Sequence, residues 1–292
     1  MSDWMEINLR IKPEAQEATT EILYNEGAQG VWLDEEGDRV VIKTYLPYES
    51  VTPEKLVMIK DKIQGLNQFG LDPGNVELFT DKVEEEDWAN SWKEYFYPEK
   101  ITETFVVKPT WREYQANPGE IVIEIDPGMA FGTGTHPSTY LAIQALEDFA
   151  SKVHNMLDVG TGSGILAIAA ALLGVPQITA VDIDRVAVKV AQENVLLNKV
   201  QKQVQVMRSD LVERIKEKGK KFKLVTANII AEIILKLIPD LPEIIEDEGY
   251  FIASGIITER FLEVQKALKD KGFQIKRIYR EGEWVALVAE KS

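Results

Sequence analysis

Cysteine is absent from the 292 residues, which excludes disulfides, thiolate nucleophiles and cysteine-ligated zinc. Histidine is scarce: His136 and His154 are the only two, too few for a histidine-built metal centre. Long apolar runs are missing as well. The longest, from Ile165 to Val175, is far short of the roughly 20 residues that span a bilayer. The opening MSDWMEINLR has neither the basic stretch nor the apolar segment of a secretory signal, so a cytoplasmic location is expected. Positive charge is in deficit: 33 Lys and Arg face 48 Asp and Glu, a net of -15. Residues 1–83 hold 8 of the former and 16 of the latter, so they carry -8 of that total. A deficit of this sign argues against tight binding to nucleic acid, whose phosphates need a basic face. It serves solubility, and it also speeds encounter with a basic partner.

What is present falls into two patterns. Residues 1–83 read strand, helix, strand, strand, helix, strand. WMEINLRI alternates; a helix follows between Pro13 and Gly27; GVWLD and RVVIKTYL flank a turn; Leu56, Ile59, Ile63 and Leu66 recur at helical spacing; NVELFTDKV alternates again. That order is the ferredoxin-like α+β arrangement. In the following segment, 84–97, Trp88, Trp92 and Phe96 form one stripe of a linker helix. Packing between domains accounts for such a stripe, and a wall against substrate is the alternative. From Pro98 a strand-rich stretch leads to DPGMAFGTGTHPSTY, in which Thr139 opens the next helix.

Beyond Asn155 strands alternate with helices: NMLDV, GILAIAAALLG, QITAVDI, DRVAVKVAQENVLLN, QVQVM, KLVTANI, a helical run around two prolines, and GYFIASGI. Such alternation predicts a doubly wound parallel sheet of the Rossmann-like α/β type. In the second long helix Val186, Val190 and Leu197 are expected to face inward, and Thr258 to cap the last helix. The terminal QIKRIYREGEWVALVAE reads as an antiparallel hairpin at the sheet edge.

Three marks carry chemistry. Gly160, Gly162 and Gly164 follow a strand and open a helix, where backbone N–H groups can meet a ligand. Their G-x-G-x-G spacing departs from the G-x-G-x-x-G of dinucleotide sites. Asp182, ending the next strand 22 residues beyond Gly160, suits a ribose, with Asp184 as the helix cap. Asn228 ends the fourth strand, where an amide can accept a hydrogen bond from a neutral amine.

Together these marks resemble class I S-adenosylmethionine-dependent methyltransferases. MAFGTGTHPSTYLAIQALE, LDVGTGSGILAIAAALLG, AVDIDRVAVKVAQENVLLN, TANIIAEII and EGEWVAL narrow the resemblance to the family that methylates large-subunit ribosomal protein eleven. The resemblance implies S-adenosyl-L-methionine without a metal, and transfer to lysine ε-amines and an N-terminal α-amine of that basic protein, free or on the ribosome. It implies a substrate-recognition domain at 1–83 and a methyltransferase domain at 98–292. Thr139, Gly160, Asp182 and Asn228 are then cofactor contacts, with Phe131, Thr133, His136 and Gly162 lining the same site. Asn228 would orient the amine, and Phe131 would cover it. At Asn228 the chain reads NIIA where many amine methyltransferases carry two prolines and an aromatic. A nicotinamide-dependent oxidoreductase, a non-catalytic protein-binding module, and a methyltransferase for another basic protein or small amine are the alternatives.

Overall fold

Strict alternation lays down the first strand, β1 (Trp4–Ile11), which buries Ile7, Leu9 and Ile11. A computed structural model describes residues 4–28, 30–37, 39–83, 97–126 and 136–292. The chain divides into two compact units, residues 1–95 and 96–292. The helix expected over 84–97 lies, but for Tyr97, outside the described residues.

In the amino-terminal unit β1 is followed by α1 (Gln16–Asn25), β2 (Val31–Glu36), β3 (Arg39–Pro47), α2 (Pro53–Gln64) and β4 (Glu77–Val83). The strands lie in the order β2-β3-β1-β4, every neighbouring pair antiparallel, as the ferredoxin-like reading requires. Pro53 opens α2, and the Thr52 hydroxyl accepts the Lys55 N–H as its N-cap. Ile59 and Ile63 are wholly buried, with Leu56 and Leu66 packed at the margin of the same core. Burial of one such aliphatic side chain contributes roughly 1.5–3 kcal/mol.

The second unit begins with a small sheet of β5 (Glu99–Lys100), β6 (Phe105–Pro109) and β7 (Ile121–Ile125). Then come α3 (Pro137–Phe149), β8 (Met156–Val159), α4 (Ile165–Leu172), β9 (Ile178–Asp182), α5 (Arg185–Leu197), β10 (Val204–Arg208), α6 (Glu213–Glu217), β11 (Phe222–Asn228), α7 (Ala231–Leu237), α8 (Leu241–Ile244), β12 (Ile245–Ile257), α9 (Thr258–Asp270), β13 (Phe273–Glu281) and β14 (Trp284–Lys291). The main sheet runs β10-β9-β8-β11-β12-β14-β13. The first five strands are mutually parallel, and β14 and β13 join as the antiparallel terminal hairpin. Side chains of neighbouring strand residues leave the sheet on opposite faces. Met156 thus joins a core built with α3 and α4, while Leu157 joins one built with α7, α8 and α9. Strand order reverses between β8 and β11, so a crevice opens beyond their carboxyl ends.

Three expectations need correction. The inward face of α5 is Ala187, Ala191, Asn194 and Val195, whereas Val186 and Leu197 are exposed and Val190 is half-buried. Small residues win that face because a glycine backbone approaches it, and Asn194 wins because its polar atoms are paired. Its Nδ2 donates to Ser163 O at 2.9 Å and its Oδ1 accepts Asp126 N–H at 3.0 Å. Thr258 is the first residue of α9 rather than its cap. Its backbone N–H and hydroxyl both donate to Glu283 O, tying the helix to the terminal hairpin. Finally, α3 starts at Pro137, two residues before Thr139, because His136 caps it.

Candidate active site

At the end of β8 the chain turns through Gly160 (φ +71°), Gly162 (φ +53°) and Gly164 (φ +86°), backbone shapes that favour glycine. The N–H groups of Gly160 and Thr161 both donate to Val181 O at the end of β9. A Cβ at position 160 would stand 2.5 Å from Ile229 Cγ2, so the loop meets the β11 exit with no room for a side chain. At Gly164 a Cβ would lie 3.2 Å from Ala191 Cβ and 3.3 Å from Ala191 Cα. The third glycine therefore lets α4 and α5 approach closely.

Asp182 tips β9 beside this loop. One carboxylate oxygen accepts the Gly162 N–H and the other the Asp184 N–H, each at 3.0 Å. A carboxylate offers about four acceptor sites, so capacity is left for hydroxyl donors. Asp184 caps α5 by accepting the Val186 N–H at 2.9 Å, as expected of it.

A third acid, Asp158, escaped the sequence reading. It is 1% exposed, on β8, and accepts the hydroxyls of Thr161 at 2.6 Å and Thr226 at 2.7 Å. Burial pushes its carboxyl up to about 6; the two threonine hydroxyls oppose the rise and the nearby Asp182 adds to it. The carboxylate thus ties the glycine loop to β11. The available signal was an acid inside the otherwise apolar strand MLDV.

On the opposite side stands the first turn of α3. His136 Nδ1 accepts the Ser138 N–H and lies 2.7 Å from the Ser138 hydroxyl. Accepting there puts the proton of a neutral ring on Nε2. Burial lowers the His136 pKa, and Glu283 partly offsets this. Its ring meets Trp284 edge-on, with centroids 4.6 Å apart. Thr139 is fully buried, and its hydroxyl accepts from Asn228 Nδ2 at 3.2 Å. The Ser254 hydroxyl donates to Ser138 O at 2.7 Å, fastening the same turn to β12.

These groups surround one cavity of about 940 Å³, with far more apolar wall than polar. His136, Gly160, Gly162, Asp182 and Asn228 line it, joined by Ser138, Gly255 and Trp284, which the sequence reading left unassigned. Thr139 lies one layer behind Asn228. Phe131 and Thr133 lie outside the described residues. Among the described residues no three His, Asp or Glu side chains converge as a metal site, and no helix is long and apolar enough to cross a membrane.

Five parallel strands, an antiparallel edge pair and a glycine loop beside an acid-tipped second strand define a Rossmann-like class I methyltransferase fold. Comparison with known proteins narrows this. Residues 3–292 match the family described as ribosomal protein L11 methyltransferase (PrmA). The chain is 41% identical to the ribosomal protein L11 methyltransferase of Alkaliphilus oremlandii, with 98% of each chain covered. It is 42% identical to that of Caldanaerobacter subterraneus subsp. tengcongensis, with 99% of each covered. The crystal structure of a ribosomal protein L11 methylase from Lactobacillus delbrueckii subsp. bulgaricus is 35% identical. It superposes with a TM-score of 0.63, over 68% of this chain and 100% of that one. The chain belongs to the ribosomal protein L11 methyltransferase family. Membership implies S-adenosylmethionine as the methyl donor.

Proposed function

We propose that this chain transfers methyl groups from S-adenosylmethionine to lysine ε-amines and the N-terminal α-amine of ribosomal protein L11. The observation that carries the reading is one cavity wall shared by the glycine loop, Asp182 and Asn228, in a chain of this family. When bound, S-adenosylmethionine supplies an electrophilic methyl group on a sulfonium.

The residues fit such a donor. Gly160 and Gly162 line the cavity, where their backbone would meet the donor. Asp182, already fixed by two backbone N–H groups, would accept from the ribose hydroxyls. His136 would line the same volume, with Phe131 and Thr133, and Thr139 would contact the donor beside Asn228. Asn228 Oδ1 would accept a hydrogen bond from the target amine and so aim the nitrogen lone pair, with Phe131 as its aromatic cover. Orientation of this kind supplies most of what an already activated donor needs.

The amine must arrive neutral. Deprotonating a lysine of pKa about 10.4 near pH 7 costs roughly 4.6 kcal/mol, whereas an α-amine near 7.8 costs about 1 kcal/mol. His136 is poorly placed to take that proton, since its Nδ1 is engaged in capping α3. Solvent takes it before transfer. Residues 1–83, with a net of -8, would recruit the basic substrate, either free or on the ribosome. Mass spectrometry of L11 after incubation with the chain and S-adenosylmethionine tests the target atoms. Methyl groups on lysines and the amino terminus are expected; modification of other side chains would overturn the assignment.

A further inference from the structure

Positive charge is scarce in this chain, yet it is not scattered. Residues 198–223 hold nine Lys and Arg against three Asp and Glu, a net of +6 within a total of -15. The fold decides where they gather. In the main sheet β8, β9, β10 and β11 run parallel, so the segments leading into them meet at one edge, opposite the edge that carries the cavity. Those segments, 150–155, 173–177, 198–203 and 218–221, contain Lys152, Lys199, Lys202, Lys218, Lys220 and Lys221 and no Asp or Glu. All six lysines are exposed.

Hydrogen bonds join the four segments into one fixed surface. Asn155 donates to Lys221 O at 3.0 Å and accepts the Lys223 N–H at 2.6 Å, which ties the first to the fourth. Gln177 O accepts the Met156 N–H at 2.8 Å, and Gln203 Nε2 donates to Val175 O at 3.2 Å, which brings in the second and third. The Lys220 ammonium donates to the Thr179 hydroxyl at 3.3 Å, so it reaches across the end of β8 to β9. Among the described residues none of the six lysines forms an ion pair, whereas neighbouring Lys216 is taken up by Asp240 and Glu243. The surface ends at β12, where Asp247 feels Lys221 and Lys223 but is bonded to Lys291 at 3.0 Å.

Six exposed ammonium groups on one edge attract an extended anion rather than a single ion. Lysine is a point charge without the planar fork of arginine, and such charges suit a regular row of phosphates. The four segments carry no Phe, Tyr or Trp on which an unpaired base could stack, which favours a duplex over a single strand. We propose that this edge of the sheet meets the phosphate backbone of double-stranded RNA. The choice of RNA rests on the function proposed above, because a ribosomal protein sits among RNA. The net of -15 keeps the grip weak and salt-labile.

Fluorescence anisotropy of a labelled RNA duplex titrated with the whole chain tests this. A Kd on the order of 10 µM is expected at about 0.05 M salt, weakening about 100-fold by about 0.2 M, as release of counterions from about four phosphates requires. Lys199→Gln, Lys202→Gln, Lys220→Gln and Lys221→Gln, combined, should weaken binding at least about tenfold at the lower salt and flatten its salt dependence. Their S-adenosylmethionine affinity and methylation of free L11 should stay within about twofold of wild type, since the cavity lies at the other edge. Lys189→Gln, Lys266→Gln, Lys269→Gln and Lys271→Gln, combined, change the net charge equally and should cost less than about threefold. A duplex left unbound, or equal losses in both variants, would overturn the proposal. Equally tight binding to polyglutamate or to phosphatidylserine vesicles would overturn it too, in favour of an acidic protein or a membrane surface. A chain that methylates L11 but leaves the duplex free overturns this inference and spares the parent reading. One that holds the duplex through these lysines but never modifies L11 overturns the parent reading and spares the surface.

Discussion

Asp158 shows what a single buried charge does to this fold. An acid whose pKa rises from 3.8 unfolded to about 6 folded binds more protons in the native state between those values. Its contribution to stability is therefore most favourable below about pH 4 and is lost as pH rises toward 6. The cost at pH 7 is on the order of 3 kcal/mol. Asp182 is the neighbouring charge, and it works in the same direction. Denaturation with urea should show wild type losing stability relative to Asp158→Asn between pH 4 and 6, with a constant difference above pH 7. A pH-independent difference would contradict the account. Asp182→Ala should weaken S-adenosylmethionine binding by one to two orders of magnitude in calorimetry, as expected when two charge-assisted hydrogen bonds are lost; unchanged affinity would remove Asp182 from the site. The Asp184 cap was legible because it stands just before a helix start. Asp158 was not, since Thr226 meets it only when β8 and β11 pair.

At the scale of elements, the glycine loop matters as much for helix packing as for ligand access. Gly164 brings α4 against Ala191 of α5, and the same face of α5 reads the backbone of β7. Asn194 pairs with Asp126 and Ser163, and Asn198 exchanges two bonds with the Glu124 backbone. Apolar periodicity pointed to Val186, Val190 and Leu197 instead, because it cannot recognise a polar residue that is buried and satisfied. Asn194→Ala removes the two bonds that join α5 to Ser163 O and Asp126 N–H, so a loss of about 1–3 kcal/mol is expected in chemical denaturation. A change under 0.5 kcal/mol would mean that the pairing does not hold α5 in place. Alternation and turn residues made the βαββαβ order and the doubly wound sheet readable. They gave no sign that β12 begins at Ile245, before GYFIASGI.

Over the whole molecule, charge and cavity act on different steps. The net of -15, with -8 in residues 1–83, favours approach of a basic protein, and such attraction fades as the Debye length shrinks from about 10 Å at 0.1 M salt to 3 Å at 1 M. The KM for L11 should therefore rise several-fold between about 0.05 and about 0.5 M salt, while the affinity for S-adenosylmethionine in its largely apolar cavity changes little. Equal responses would detach the charge from substrate recruitment. The central claim joins family, cavity and acid–amide pair in one activity, methylation of L11 by S-adenosylmethionine. Incubation of the purified chain with tritiated S-adenosylmethionine, L11 and an equally basic control protein tests it most directly. The account predicts tritium in L11 that depends on Asn228 and is absent from the control. Label spread equally over both proteins, or none in L11 while the cofactor binds, would contradict it.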